Sequence, residues 1–337
     1  ADLDHTHCCE NDISLNWFPL DHVAGLVMFH LRDVYVGAQQ IHGPTQTVLQ
    51  DPLQLIDWLH QYRVTVTWAP NFAYGLINEQ AAAMASRSWD LSCLRLMVNG
   101  GEAIVAKTAR RFLELLQPFG LDSAVIRPAW GMSETASLVT CSERFSLESI
   151  SDEQTFVEVG APLAGVAIRI VDDHDQLVSA GVAGRLQVTG PMVTPGYYDQ
   201  PELTQKSLTE DGWFDTGDLG FLDSGCLTIT GRRKDVIILN GVNYYSHDLE
   251  SVVEELEGVE RSFTAACGVR RETDVTDQVA VFFSPHSRSA ELTSKPQSPV
   301  DLHPPQSPFT KGGGISGLEG RTSGGQALAR RGGGRVG

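Results

Sequence analysis

Between residues 51 and 126, apolar runs of strand length alternate with one-sided apolar stripes of helical length, and this alternation most restricts the possible folds. Asp51-Pro52 ahead of Leu55, Ile56, Leu59 and Tyr62 supplies a capping residue, a proline at the first helical position and one apolar face. Val64, Val66 and Trp68 then alternate with polar residues as a strand does, and a second apolar run over 94–98 ends at Asn99-Gly100-Gly101. Ala109, Phe112, Leu113 and Leu116 share the face of another predicted helix, followed by a short strand over 124–126. The expected class is α/β: a large domain with mostly parallel sheets flanked by helices.

From about Val166 the texture changes. Val166, Ile168 and Ile170, then Leu186 and Val188, alternate with polar residues between Gly- and Asp-rich turns, which predicts an antiparallel, β-rich subdomain at about 160–230. Past Gly231 come an apolar strand over 236–239, a Ser246-capped helix carrying Leu249, Val252, Val253 and Leu256, and strands near 263–269 and 279–283. The expected division is a partial large domain over 1–230, a hinge with the start of a small α+β domain over 231–285, and a disordered tail over 286–337. That tail holds eleven glycines and five prolines, and seven cationic residues against three acidic ones. Within it Thr310-Lys311-Gly312-Gly313-Gly314 resembles a phosphate loop, but neither a strand nor a helix pattern flanks it, so a linker is the expectation.

The charge of −17 argues against a nucleic-acid groove, which needs clustered cations facing the phosphates. No apolar run approaches the roughly 20 residues that span a bilayer, and the first fifteen residues lack a signal-peptide pattern, so no membrane partner and a cytoplasmic location are expected. The six cysteines show neither zinc-ligand spacing nor a disulfide framework.

Three motifs carry chemistry. Trp130-Gly131-Met132-Ser133-Glu134-Thr135 offers a flat ring, a hydroxyl and a carboxylate; Trp213-Phe214-Asp215-Thr216-Gly217-Asp218-Leu219 ends on an acidic residue; Gly231-Arg232-Arg233-Lys234-Asp235 precedes an apolar strand and Asn240-Gly241-Val242-Asn243. Each alone also fits a plain structure: a turn with a core Trp, a Gly-Asp β-turn, a solvated basic turn. In this order they resemble the adenylate-forming superfamily of acyl-CoA synthetases, fatty acyl-AMP ligases and peptide-synthetase adenylation domains. The flavour is closest to loading domains of mixed polyketide-peptide synthases. The resemblance covers about residues 15–284.

What the resemblance implies is specific. Trp130 stacks on adenine, Ser133 lies near the phosphates, Glu134 holds Mg²⁺, and Asp218 accepts both ribose hydroxyls. Arg232 contacts ribose and phosphate, and Lys234 is the hinge. Gly100, Gly101, Glu102 and Gly131 line the nucleotide. Trp17-Phe18-Pro19-Leu20-Asp21-His22-Val23-Ala24-Gly25 resembles the segment beside the acyl pocket, which His22 and Gly131 would border; a core histidine is the other reading of His22. Gly184-Arg185-Leu186-Gln187-Val188-Thr189-Gly190, running into Pro195-Gly196-Tyr197-Tyr198, matches a structural segment in which Arg185 replaces the usual Glu.

The implied reaction is ATP- and Mg²⁺-dependent activation of a carboxylic acid as acyl-AMP, followed by transfer to a thiol. The expected acceptor is the phosphopantetheine of a carrier protein, with free coenzyme A second. Because Pro19 follows Phe18 where amino-acid-activating relatives place an Asp, an aryl or acyl acid is expected. Family members also carry an upstream Ser/Thr/Gly-rich phosphate loop and a lysine near the end of the small domain. Neither has a counterpart here, and the first residue is Ala1, so the chain is expected to be a piece truncated at both ends that adenylates poorly alone. The alternative is a truncated, non-catalytic remnant with residual nucleotide binding.

Overall fold

The computed structural model describes residues 6–154, 156–239, 242–269 and 278–285. The predicted tail over 286–337 and the Asn240-Gly241 pair lie outside the described residues.

Strands β1 (Ile13–Asn16), β2 (Gln39–His42), β3 (Val66–Trp68), β4 (Leu96–Asn99) and β5 (Ile126–Met132) form a parallel array ordered β2-β1-β3-β4-β5. Helices Leu53–Gln61, Asn71–Glu79 and Ala106–Leu116 make crossovers between these strands, as the α/β reading expects. Along β4, Met97 points into one apolar cluster while Leu96 and Val98 point into another, so both faces of the sheet are covered. That double cover explains β3, where every residue is buried although the alternation of Val66, Thr67 and Trp68 reads as half-exposed. The hydroxyl of Thr67 donates to the Leu15 carbonyl at 2.9 Å and so tolerates burial.

Helix Ala106–Leu116 buries Ala106, Ala109, Phe112, Leu113 and Leu116, the predicted face extended by one turn. Pro52, expected at the first helical position, is instead the N-cap of helix Leu53–Gln61, where its missing N–H still costs nothing. The Asp51 side chain makes no capping bond; its carbonyl accepts the Gln54 N–H at 3.0 Å instead.

At β5 the sense of the sheet reverses. Strands β6 (Ser137–Cys141), β7 (Glu158–Pro162), β8 (Ala167–Val171), β9 (Gly184–Thr189), β10 (Phe214–Asp223) and β11 (Cys226–Arg232) continue it antiparallel in the order β6-β7-β11-β10-β9-β8, giving eleven strands in all. The β-rich region is thus hydrogen-bonded edge to edge with the parallel part, and the main core runs from Leu15 and Ile56 through to Leu186, Val188 and Leu227.

Arg185, the departure from the family pattern, lies on β9 between carboxylates. It bonds Asp175 at 2.6 Å, Asp215, and the Asp172 carbonyl at 2.8 Å, with its side chain only 11% exposed. Arg185→Glu would set three carboxylates against one another beside the start of β10. We expect that variant to show a clearly lower urea midpoint than Arg185→Lys.

After β11 the chain leaves the large sheet through a tight turn, Arg233–Asp235, and enters a hairpin of β12 (Val236–Leu239) and β13 (Val242–Tyr245). Helix Ser246–Glu254 and a second hairpin, β14 (Val259–Val269) with β15 (Gln278–Pro285), follow. Ile237, Leu249 and Ala266 make a small core of their own. Ser246 does not cap its helix; its hydroxyl donates to the Asp235 carbonyl at 2.9 Å and pins the helix to that turn.

Candidate active site

Trp130-Gly131-Met132-Ser133-Glu134-Thr135 sits where β5 turns back into β6. Gly131 is required there because a Cβ would run into the Ser137 carbonyl. Buried Thr135 closes the turn, accepting the Met132 N–H at 3.1 Å, with its hydroxyl 2.9 Å from both the Met132 and Ser137 carbonyls. These residues spend their side chains on the turn and leave Ser133 and Glu134 facing a cavity. The cavity, about 680 Å³, also reaches His22, Gly100 and Lys234.

Glu134 is held twice from the Gly-Tyr segment. Its carbonyl accepts the Thr194 N–H at 2.7 Å, and its Oε1 accepts the Tyr197 hydroxyl at 2.7 Å. Burial and the adjacent Glu134 carboxylate push the Tyr197 phenol up to about 12, so it stays a donor throughout the physiological range. Sequence reasoning placed Tyr197 in a structural segment, and only its motif could have flagged it. On the expected Mg²⁺ role of Glu134, Tyr197→Phe, which removes one bond to that charged group, should raise the Mg²⁺ concentration that half-saturates nucleotide binding roughly three- to tenfold. An unchanged Mg²⁺ titration would show that the bond does not position the carboxylate.

The second and third motifs meet as cross-strand neighbours. Asp218 on β10 pairs with Arg232 on β11. A register shift between Asp215 and Leu219 bulges β10 away from β9, and such a bulge re-aims the side chain it carries. Gly217 takes φ 76°, and the Thr216 hydroxyl donates to the Leu186 carbonyl while accepting the Asp218 N–H. Asp218 is thereby buried, its side chain 7% exposed, between Arg232 Nε at 3.0 Å and the indole N–H of Trp130 at 2.8 Å. Burial pushes its pKa above the ordinary Asp value, against the opposing pull of Trp130 and Arg232.

A second cavity of about 550 Å³ opens over this group, with Trp130, Asp218, Phe156 and Tyr245 on its walls. Gly101, Ala129, Gly131 and Arg232 border both cavities, which therefore adjoin. Gly100 follows buried Asn99 so closely along β5 that a Cβ would come 2.5 Å from the Ala129 carbonyl oxygen, which explains the first glycine of Asn-Gly-Gly; Gly101 takes φ 87°. Glu102 accepts the Phe72 N–H at 2.6 Å, so its carboxylate is engaged by the first turn of helix Asn71–Glu79 while also bordering the second cavity.

His22 is exposed on the rim of the larger cavity, not in a core; its Nδ1 accepts the Ala24 N–H at 3.1 Å. Lys234 and Arg233 border the same cavity from the turn that leaves the large sheet. Lys206, from helix Pro201–Ser207, joins them there and carried no motif signal.

Among the described residues no cluster of three His, Cys, Asp or Glu side chains could hold a metal, and no helix is long and apolar enough to cross a membrane. A single carboxylate suits Mg²⁺ arriving with a polyphosphate, since that ion keeps several waters and few protein ligands. Glu134, oriented by Tyr197 beside a cationic wall, fits that requirement.

Residues 2–198, more than half the chain, match the family described as AMP-binding enzyme. The chain belongs to this family. This AMP-binding chain is 35% identical over 294 residues to nonribosomal peptide synthetase apvA of Aspergillus terreus (strain NIH 2624 / FGSC A1156), covering 86% of the chain and 32% of that protein. It also resembles the solved structure of McyG A-PCP complexed with phenylalanyl-adenylate, with TM-score 0.81, 43% identity, and 86% and 52% coverage of the two chains. A further solved structure is an adenylation domain of a keto acid-selecting NRPS module bound to keto acyl adenylate, with TM-score 0.70, 43% identity, and 84% and 56% coverage. The chain spans about a third of the length of the curated relatives it matches.

Proposed function

We propose that this chain is the adenylate-forming part of a larger acid–thiol ligase. The observation that carries the reading is the meeting of three separate motifs on one group: Trp130 and Arg232 both donate to Asp218, where two cavities adjoin. The smaller cavity takes adenine and ribose, with Trp130 as the ring, Gly101, Glu102 and Gly131 beside the base, Gly100 next to them on the larger cavity, and Asp218 accepting the ribose hydroxyls. An ionised carboxylate suits two vicinal hydroxyls because they are two donors and it is all acceptor.

The larger cavity takes the phosphates and the acid. There a carboxylate oxygen of the substrate attacks the α-phosphorus of ATP, the bond to the bridging oxygen breaks, and pyrophosphate leaves with that electron pair. Arg232 and Ser133 face the charge that builds on the phosphoryl oxygens, where fixed donors act most strongly. Mg²⁺ bound with ATP would neutralise phosphate charge, and Glu134 would hold it. Lys234, in the turn between the large sheet and the β12–β13 hairpin, is the hinge about which the small domain reorients for thiol transfer.

The acid is an aryl or acyl acid. Pro19 follows Phe18, Asp21 is exposed, and among the described residues no carboxylate besides Glu134 and Asp215 borders the larger cavity to pair an ammonium. The thiol acceptor is a carrier-protein phosphopantetheine ahead of coenzyme A, a reading supported by the A-PCP and peptide-synthetase relatives.

Mass spectrometry of adenylates formed by a protein extending over the full length of the curated relatives, offered aryl, acyl and amino acids, tests this. Adenylates of aryl or acyl acids alone support the reading; an aminoacyl-adenylate overturns the substrate class, and none at all overturns the activity.

A further inference from the structure

The two donors on Asp218 differ in kind. Arg232 holds Oδ1 from a side chain that is 67% exposed and lies two residues before Lys234. Trp130 holds Oδ2 from a ring that is 8% exposed, on the last parallel strand, packed into the main core. The bond spans 88 residues of sequence and links β5 to the bulged segment of β10. Of the two partners only the indole is fixed by packing.

We propose that Trp130 is a positioning residue whose indole N–H sets the rotamer of Asp218, so that the carboxylate is aimed at the ribose hydroxyls before the nucleotide arrives. This rests on the ribose-binding reading of Asp218. It assigns Trp130 a task beyond stacking, which a ring without an N–H could not perform.

The hydrogen-bond inventory allows it. A carboxylate offers about four lone-pair sites. Trp130 and Arg232 take one on each oxygen, which leaves an acceptor on each for the two vicinal hydroxyls. Orienting the group beforehand removes the rotamer entropy that binding would otherwise have to spend. The N–H also works on ionisation. Burial and the nearby Asp235 carboxylate favour neutral Asp218, while the Trp130 N–H and the Arg232 guanidinium favour the anion. Loss of the indole donor therefore moves the Asp218 pKa further up and shrinks the ionised fraction as pH falls.

Calorimetric titration of the full 337-residue chain with AMP from pH 5 to 8 tests the proposal, using wild type, Trp130→Phe, Asp218→Ala and the double variant. Phenylalanine keeps a ring for stacking and loses the donor. We expect Trp130→Phe to weaken AMP about tenfold at neutral pH and to shift the midpoint of the affinity–pH curve upward. In the Asp218→Ala background the same change should cost much less, because its target is gone.

An equal loss in both backgrounds with an unmoved midpoint would overturn the positioning role and leave stacking alone. Absence of AMP binding by the wild type would overturn the ribose reading itself and the proposal with it. If Trp130→Phe does not fold, nitrogen-15 spectra of the six indole N–H groups decide. One resonance should titrate in wild type and lose that response in Asp218→Ala; no such resonance overturns the proposal.

Discussion

Asp218→Asn is expected to weaken nucleotide binding roughly a hundredfold while leaving the nucleotide-free protein as stable as wild type or more so. The amide keeps one acceptor, which can still receive the Trp130 N–H, but it loses the charge and the second acceptor that two ribose hydroxyls need. Charge-assisted bonds of this kind contribute about 1.5–3 kcal/mol each, and 1.4 kcal/mol is tenfold in affinity. Stability moves the other way because burial raises the folded-state pKa of Asp218 above its unfolded value. Its ionised form thus opposes folding at neutral pH, a cost that fades as pH falls below the raised pKa. A neutral isostere removes the cost, and Arg232, largely exposed, remains hydrated. By the same shift, wild-type affinity for AMP should fall off at a higher pH than an ordinary Asp would give. Calorimetry for affinity and thermal melting without nucleotide check both halves. Undiminished affinity would remove Asp218 from the site, and a large drop in melting temperature would show that the ion pair stabilises the fold.

Phe112→Ala should destabilise the chain by about 3–5 kcal/mol, the range for emptying a buried aromatic site. Phe112 is fully buried on helix Ala106–Leu116 and stacks on fully buried Tyr74 at 4.3 Å between ring centroids. That stack joins the two helices that precede and follow β4 and the Gly100–Glu102 loop in the chain, and an aromatic pair adds about 0.5–1.5 kcal/mol beyond area burial. Because whole domains are stable by only about 5–15 kcal/mol, the loss is a large fraction of the total. Urea unfolding should show a lower midpoint at an unchanged slope, with Phe112→Leu losing far less. A loss near 1 kcal/mol for the alanine variant would mean that the site collapses and refills.

Helices Leu53–Gln61 and Ala106–Leu116 and the strands near Val66, Leu96 and Ile126 were legible because burial on one face imposes a period, and the period is written in the residue types; β1, β2 and helix Asn71–Glu79 were not read from it. The faces of helices Leu53–Gln61 and Ala106–Leu116 came from spacing alone. Double coverage of β3 did not, since Thr67 reads as exposed until a carbonyl on β1 is seen to satisfy it. Capping was misread at Asp51 and Ser246 for a related reason. A short polar side chain ahead of a helix has several backbone partners within reach, and packing chooses among them.

Local chemistry is a property of short segments, so residue types alone carried the run of ring, hydroxyl and carboxylate over Trp130–Glu134, with a turn there only as the plain alternative. They also carried the family resemblance of three ordered motifs. Contact between those motifs is a matter of tertiary structure. Trp130 meets Asp218 across 88 residues because β7 and β11 join the antiparallel strands to the parallel sheet, and Asp218 faces Arg232 because β10 and β11 pair in that register. Tyr197 reaches Glu134 only after the Gly-Tyr loop folds back onto the turn between β5 and β6. Sequence determines which groups can donate, accept or carry charge; strand order and register decide which of them come within 3 Å, because those distances are set by packing between segments far apart in the chain.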